Sequence, residues 1–280
     1  VSGELPAPGR LPPVERLIEA FSAMGLTPDT HVVVYDDEGG GRASRLLWTL
    51  EAMGHTRFSL LNGGLHAWTL ERRPLQGGTE TRARSQYQVQ RRETVIADKT
   101  YILKHLGDTA VVLLDTRTVD EYLGSKRFAE RGGHIPGAVN LDWMQTMDRN
   151  RGLRFKPAKE LRAMLTSLGV TPDKEVVCYC QSHHRSAHSC MLLKSPWFER
   201  VRGYPGLCPE WGNSPDTPVG QTPTTLRQPL AAGRVAAVMV TTPAIGVLAA
   251  RLLAQGIDIA HVHHGRHLLH AGVGAFGLRD

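Results

Sequence analysis

The chain has 280 residues, of which 41% are hydrophobic and 21% charged. This gives room for about two domains with substantial cores and argues against a disordered or membrane-embedded chain. The formal net charge of +6 suits small anionic substrates. Nucleic acid is not indicated: Arg82, Arg84, Arg91 and Arg92 are scattered through a polar segment, and no Lys/Arg cluster interleaves with aromatics.

In chain order, Pro13 followed by Leu17, Ile18, Phe21 and Met24 predicts a helix. Thr27-Pro28-Asp29 marks a turn, and Val32 to Tyr35 a strand buried on both faces. After Asp36 and Gly39-Gly40-Gly41 come a helix from Ala43 to Gly54, a strand from Phe58 to Leu61, a turn at Asn62-Gly63-Gly64 and a helix from Leu65 to Arg72. The glycine run reads as a connector, since no P-loop Lys-Ser/Thr follows it. Residues 76–94, polar and opening on Gly77-Gly78, read as a linker between a first domain, 1–75, and a second, 95–218. The second begins with a helix near Asp98 to Leu106, a strand from Val111 to Asp115 and the segment Gly133-His134-Ile135-Pro136-Gly137-Ala138. A helix from Pro157, carrying Leu161, Met164, Leu165 and Leu168, then leads to the strand Glu175 to Tyr179. Residues 219–280 read as a tail with a strand at 235–240, a helix at 244–254 and a strand at 257–262. Its histidines, His261, His263, His264, His267 and His270, read as a polar stretch rather than a metal site. The longest uncharged stretch, Val235 to Ala250, is too short to span a membrane.

Residues 13–36 align without gaps with residues 157–180, an offset of 144. Pro, Leu, Gly, Thr-Pro-Asp, Val-Val and Tyr coincide, which implies two copies of one domain. Buried strands alternating with helices indicate the α/β class, each copy a parallel sheet flanked by helices with ligands at the carboxyl ends of its strands. Projected back by the same offset, the early elements of the second domain fall before Val1. The expectation is a first domain truncated at its N-terminus, with an unpaired strand edge. Residue 1 is Val rather than Met, so a removed targeting segment stays open.

Cys180 ends the second buried strand and opens the loop Gln181-Ser182-His183-His184-Arg185-Ser186 ahead of a helix. A sulfur there faces the amides of a tight loop and the positive end of the helix, with Arg185 and the histidines His183 and His184 close by; all of these favour the anion and predict a nucleophile. A buried core cysteine is the plain alternative, and it is the preferred reading for Cys178 and Cys190. A zinc site from Cys178, Cys180, His183, His184, His188 and Cys190 would lack the usual paired ligand spacing, so no metal or cofactor is expected. The first copy has Asp36 where the second has Cys180. A carboxylate cannot do sulfur chemistry, so that domain should be catalytically silent. Four cysteines in a chain of this length do not form a disulfide scaffold, and a reducing, cytoplasmic setting is the default.

The Cys180 loop, Gly133-His134-Ile135-Pro136-Gly137-Ala138, Asp115-x-Arg117 with Glu121-Tyr122-x-Gly124, and Glu210-Trp211-Gly212-Asn213 together resemble the rhodanese family of sulfurtransferases over about residues 10–218. They are most similar to the two-domain bacterial type with a Cys-Gln-(Thr/Ser)-His-His-Arg-Ser loop. The resemblance implies that Cys180 attacks the outer sulfur of thiosulfate, sulfite leaves, and a Cys180 persulfide passes its sulfur to cyanide, a thiol or a protein. Loop amides from Gln181 to Ser186 would hold the persulfide anion. Arg185 would hold the donor's sulfonate or, alternatively, pair with a carboxylate, and His183 and His184 would line the pocket or point to solvent. Two departures stand out. Gly206-Leu207-Cys208-Pro209 replaces the frequent Gly-Ser-Trp pattern, leaving the role of Cys208 open, and Glu121 occupies the place of an arginine in relatives that use mercaptopyruvate, which favours thiosulfate. The competing readings are a persulfide relay or binding module for a partner protein, and a cysteine-dependent phosphatase or arsenate reductase. The latter carry five residues between Cys and Arg, against four here.

Overall fold

The computed structural model describes residues 9–78, 82–194 and 197–221, leaving out the side chains of 207–209. The predicted tail elements and the tail histidines lie outside the described residues, as does the side chain of Cys208. The first unit runs α1 (Val14–Ala23), β1 (Val32–Val34), α2 (Gly41–Ala52), β2 (Phe58–Leu60) and α3 (Gly64–Leu70). The second opens with α4 (Lys99–Lys104), β3 (Val111–Asp115), α5 (Val119–Leu123) and β4 (Val139–Asn140). A small antiparallel pair follows, β5 (Met147–Asp148) with β6 (Arg154–Phe155). Then come α6 (Ala158–Ser167), β7 (Glu175–Tyr179), α7 (His184–Lys194), β8 (Val201–Tyr204) and α8 (Leu207–Asn213).

The offset of 144 extends well past the segment from which it was read: α1 maps onto α6, β1 onto β7, β2 onto β8 and α3 onto α8. Pro13 and Pro157 take nearly the same backbone angles at the two helix starts, φ −50°, ψ 142° and φ −53°, ψ 141°. A fixed proline φ just ahead of an apolar stripe sets the entry of each helix. Leu17 and Phe21 in one copy, and Leu161 and Leu165 in the other, turn into the cores.

The second unit has a four-stranded parallel sheet in the order β4-β3-β7-β8. In the first unit β1 pairs with β2, also parallel. The sequence predicts an unpaired strand edge there; among the described residues β2 is the one strand paired with β1, while the side chains of Val32 and Val34 are fully buried. They pack with Leu17, Phe21, Leu47 and Leu50 on one face, while Val33 and Tyr35 pack with Leu61 and Trp68 on the other. Side chains from the flanking helices supply the cover.

The segment expected to be a linker is more than a spacer. Tyr87 is buried against Phe21 with ring centres 5.2 Å apart, and its hydroxyl meets His55 Nδ1 at 2.8 Å. Gln90 N and Arg92 N donate to the carbonyls of Met53 and Ala52. Isolated apolar residues in a polar run carry little periodic signal, and only the folded surface of α1 and α2 shows where they seat.

The two units meet chiefly along α2 and α7. Phe155 N donates to Asn62 Oδ1 at 2.8 Å, Lys194 pairs with Glu51 and Arg154 with Glu71. The Asp36 loop of the first copy also meets the second: His188 of α7 bonds the backbone of Gly39 and lies against Trp143 and Phe155. Among the described residues no helix is long and apolar enough to cross a membrane.

Candidate active site

Cys180 follows the last residue of β7 and is fully buried. Parallel pairing with β3 sets its depth, with Leu114 opposite Cys178 and Asp115 opposite Tyr179. Ser186 Oγ donates to Cys180 Sγ at 3.2 Å, and His183 Nδ1 lies 2.7 Å from the same hydroxyl. With its proton on Nδ1, His183 donates to Ser186, whose hydroxyl proton is then free for the sulfur. Burial pushes His183 well below its ordinary value, so the ring is neutral in this relay.

His183 adopts φ 57°, in the left-handed region that favours glycine, and the first copy has Gly39 at the matching position with φ 95°. This turn sends the imidazole into the seam between the units, where it meets Trp48 of α2 at 4.2 Å between ring centres. Gly203 leaves the necessary room: a Cβ there would come within 2.2 Å of His183 and 2.8 Å of Trp48 Nε1. Of the two loop histidines, His183 is thus completely enclosed, whereas His184 is half-buried at the start of α7 with Nδ1 3.0 Å from Ser182 Oγ. Gln181 and Ser182 are also half-buried, at the loop's outer face.

Arg185 gives both terminal nitrogens to Glu121, at 2.7 and 2.9 Å. Thr118 and Glu121 form the capping box of α5, so the helix start fixes the carboxylate that fixes the arginine. Burial opposes ionisation of Glu121, but Arg185 and Thr118 outweigh it and hold the carboxyl at about 2. Burial likewise opposes the charge on Arg185, and Glu121 together with Cys180 keeps that guanidinium above its ordinary value. Position 121 therefore presents a matched ion pair rather than a free negative charge, which changes the sequence-level argument from Glu121 alone.

Behind the loop, Arg117 Nε lies 2.9 Å from Asp115 Oδ1, and its Nη2 donates to Gly133 O at 2.8 Å. His134 stacks on Tyr122 at 3.7 Å, while Tyr122 Oη donates to Ala138 O at 2.7 Å. The motifs that precede the loop in sequence thus form its supporting wall. Beside that wall an open cleft is lined by Gln181, Glu121, Arg117, Lys126, Arg127 and Phe128, among others. Its rim carries more positive than negative side chains, as an anionic ligand requires.

Cys178 and Cys190 are both buried free thiols, and burial beside Cys190 pushes the Cys178 thiol well up, which makes it a poor nucleophile. Among the described residues no three His, Cys, Asp or Glu side chains are placed to share a metal ion.

In the first copy, Asp36 occupies the place of Cys180. Its Oδ1 accepts from Glu38 N at 3.0 Å and Gly40 N at 2.7 Å, and its Oδ2 from Ala43 N at 2.9 Å. The Asp36 loop is therefore closed around its own anion.

Sequence reasoning did not single out Arg45 or Trp48. By the repeat offset Arg45 stands opposite Ser189 and Trp48 opposite Leu192, a departure visible in the alignment, but its nearness to Cys180 comes only from the docking of α2 on α7.

The rhodanese-like domain family matches residues 6–71 and 98–214. A thiosulfate sulfurtransferase of Azotobacter vinelandii is 44% identical over 217 residues, 78% of this chain and 79% of that protein. Its counterpart in Pseudomonas aeruginosa is 40% identical over the same shares. The sulfur carrier protein TtuD of Thermus thermophilus is 34% identical, covering 74% of this chain and 76% of that one. The solved structure of Tum1 from Saccharomyces cerevisiae shares the fold with a TM-score of 0.65 at 24% identity, covering 74% of each chain. With two family segments that coincide with the two copies of the repeat, the chain belongs to the rhodanese-like domain family.

Proposed function

We propose that the protein is a thiosulfate sulfurtransferase in which Cys180 is the nucleophile. The thiolate attacks the sulfane sulfur of thiosulfate, the S–S bond of the donor breaks, and sulfite leaves with the bonding electron pair. The Cys180 persulfide then yields its outer sulfur to a thiophilic nucleophile such as cyanide or a thiol, regenerating the thiolate.

The observation that carries this reading is the pair of loops. The Asp36 loop displays a side-chain anion held by three backbone amides. By the repeat offset, the corresponding amides at Cys180 belong to Ser182, His184 and Ala187, and a persulfide reaching from Cys180 is the anion of that cradle. Ser186 adds a hydroxyl donor. Gln181 stands at the cleft, while Arg185, locked to Glu121, holds the loop in shape and adds positive charge. Four residues between Cys180 and Arg185, and a guanidinium already committed to a carboxylate, leave a phosphoryl group poorly provided for. The free thiols at 178, 180 and 190 suit a reducing compartment, and we place the protein in the cytoplasm.

Intact-protein mass spectrometry before and after thiosulfate tests the reading. One added sulfur atom, removed by cyanide and absent in Cys180→Ser, is expected. Sulfur uptake by Cys180→Ser would sink the nucleophile assignment. Sulfur loading that only a protein acceptor discharges would turn the reading into a relay, the role named for the Thermus relative.

A further inference from the structure

Two guanidinium groups lie close enough to Cys180 to feel charge on its sulfur: Arg185 of the loop and Arg45 of α2 in the first unit. Their situations differ. Arg185 is matched in charge and in hydrogen-bonding fork by Glu121. Arg45 has no such partner. Its Nη2 reaches the Arg10 carbonyl at 3.4 Å, and its Nη1 is shielded from solvent with no hydrogen-bond partner among the described residues.

A buried, unpaired donor on a charged group is costly, and one that persists in a fold asks for a ligand or a functional reason. The side chain is held in place on both sides. Its guanidinium lies 5.1 Å from the centre of the Trp48 ring, Trp48 Nε1 donates to Val95 O at 3.1 Å, and the Trp48 ring abuts His183 of the active loop. Arg45 over the face of Trp48, and Trp48 edge-on to His183, thus form one run of contacts from the first unit into the Cys180 loop. Burial lowers Arg45 to about 10, while an anion at Cys180 pulls it back up, so an anion there relieves the cost of burying the cation.

We propose that Arg45 is an anion-binding residue of the Cys180 site: its unused Nη1 receives the oxyanion end of the sulfur donor, while Arg185 stays bonded to Glu121. The inference rests on Cys180 as the nucleophile and adds the group its donor meets. A guanidinium presents planar, directed donors to a sulfonate, and neutralises the charge that otherwise repels an anionic donor from a thiolate. The unit without a nucleophile then takes a direct part in the chemistry, which accounts for a cation on α2 where α7 has Ser189.

The test uses the full chain with Arg45→Gln and Arg45→Lys. Two quantities are measured: steady-state turnover with thiosulfate and cyanide, and the rates at which Cys180 is alkylated by anionic iodoacetate and by neutral iodoacetamide. For Arg45→Gln we expect KM for thiosulfate to rise about tenfold, the size of one charge-assisted hydrogen bond, with kcat changed far less. The iodoacetate-to-iodoacetamide rate ratio should fall several-fold, and Arg45→Lys should restore much of it. If thermal melting shows that Arg45→Gln does not fold, Arg45→Met keeps the stem against Trp48 and carries the same two readouts. A folded variant with unchanged KM and unchanged alkylation ratio overturns the proposal. The ratio needs only the Cys180 thiol, so it decides the role of Arg45 even for a wild-type protein that takes no sulfur from thiosulfate, an outcome that would instead defeat the donor assignment.

Discussion

The loops that follow β1 and β7 are two versions of one device. Both stand at the carboxyl end of a buried parallel strand, both place a left-handed residue three positions on, and both lead into a helix. The first is filled by its own carboxylate, and its three glycines let the chain close over Asp36 while Trp143, His188 and Met147 crowd it from outside. The second ends in a sulfur, with the Ser186 hydroxyl beside it and two arginines nearby. The difference teaches that one backbone can serve two ends: it holds a structural carboxylate in one copy and, on the function proposed above, a transient persulfide in the other.

The largest expected effect is loss of the nucleophile. Cys180→Ser should abolish turnover and sulfur uptake while keeping the fold. Asp36→Cys placed in that background sharpens the comparison, because the first loop then has a thiol in the same cradle. We expect no sulfur uptake by mass spectrometry, since the loop lacks a serine and an arginine at the matching positions and is enclosed by the second unit; uptake there would show that the cradle alone suffices.

Next comes the ion pair that only the second copy has. Glu121→Gln leaves the half-buried Arg185 without its counter-charge and should cost about 2 kcal/mol of stability by denaturant unfolding, somewhat less than for a fully buried broken pair. A loss under about 1 kcal/mol would mean that solvent or Asp142 takes over Arg185. Glu121→Arg, which sets two guanidiniums side by side, should be worse than Gln and should lower activity towards every donor.

Asp36→Ala removes the acceptor of three amides at once and should destabilise the first unit by about 2–3 kcal/mol, with sulfur uptake per folded molecule at Cys180 retained. Asp36→Asn, which keeps one acceptor oxygen, should cost less. Equal stability of all three proteins would mean that the Asp36 loop does not depend on its anion.

The last effect is on pH. Glu121 sits at about 2 in the fold, below its ordinary 4.5, so its share of stability is complete above about pH 4.5 and is lost as pH falls towards 2. His188, which burial holds down to about 3, must charge on unfolding, so its share begins to fall from about pH 6.5. Urea midpoints between pH 7 and 3 should therefore decline in two stages, and His188→Gln should shrink the earlier one, leaving the shares of His183, His55 and His134, which burial also lowers.

Much of this was legible in the residues. Proline-led helices, strands apolar on both faces and a gapless repeat fix the α/β class and the doubling, because these signals are local or compare the chain with itself. The position of Cys180 at a strand end, and the family motifs around it, followed from the same reading. The orientation of His183 did not, since it depends on a left-handed turn and on the space that Gly203 leaves in another strand. Nor did the partner of Arg185: Glu121 lies 64 residues away and was legible only as an unusual residue at a family position. Sequence by itself determined which loop carries a cysteine and which an aspartate, because identity and periodicity are properties of the chain. Tertiary structure decided how the charges are shared, giving Arg185 to Glu121 and leaving Arg45 of the first unit beside Cys180, because ion pairing is settled by distance and burial, and those are fixed only when α2 docks on α7.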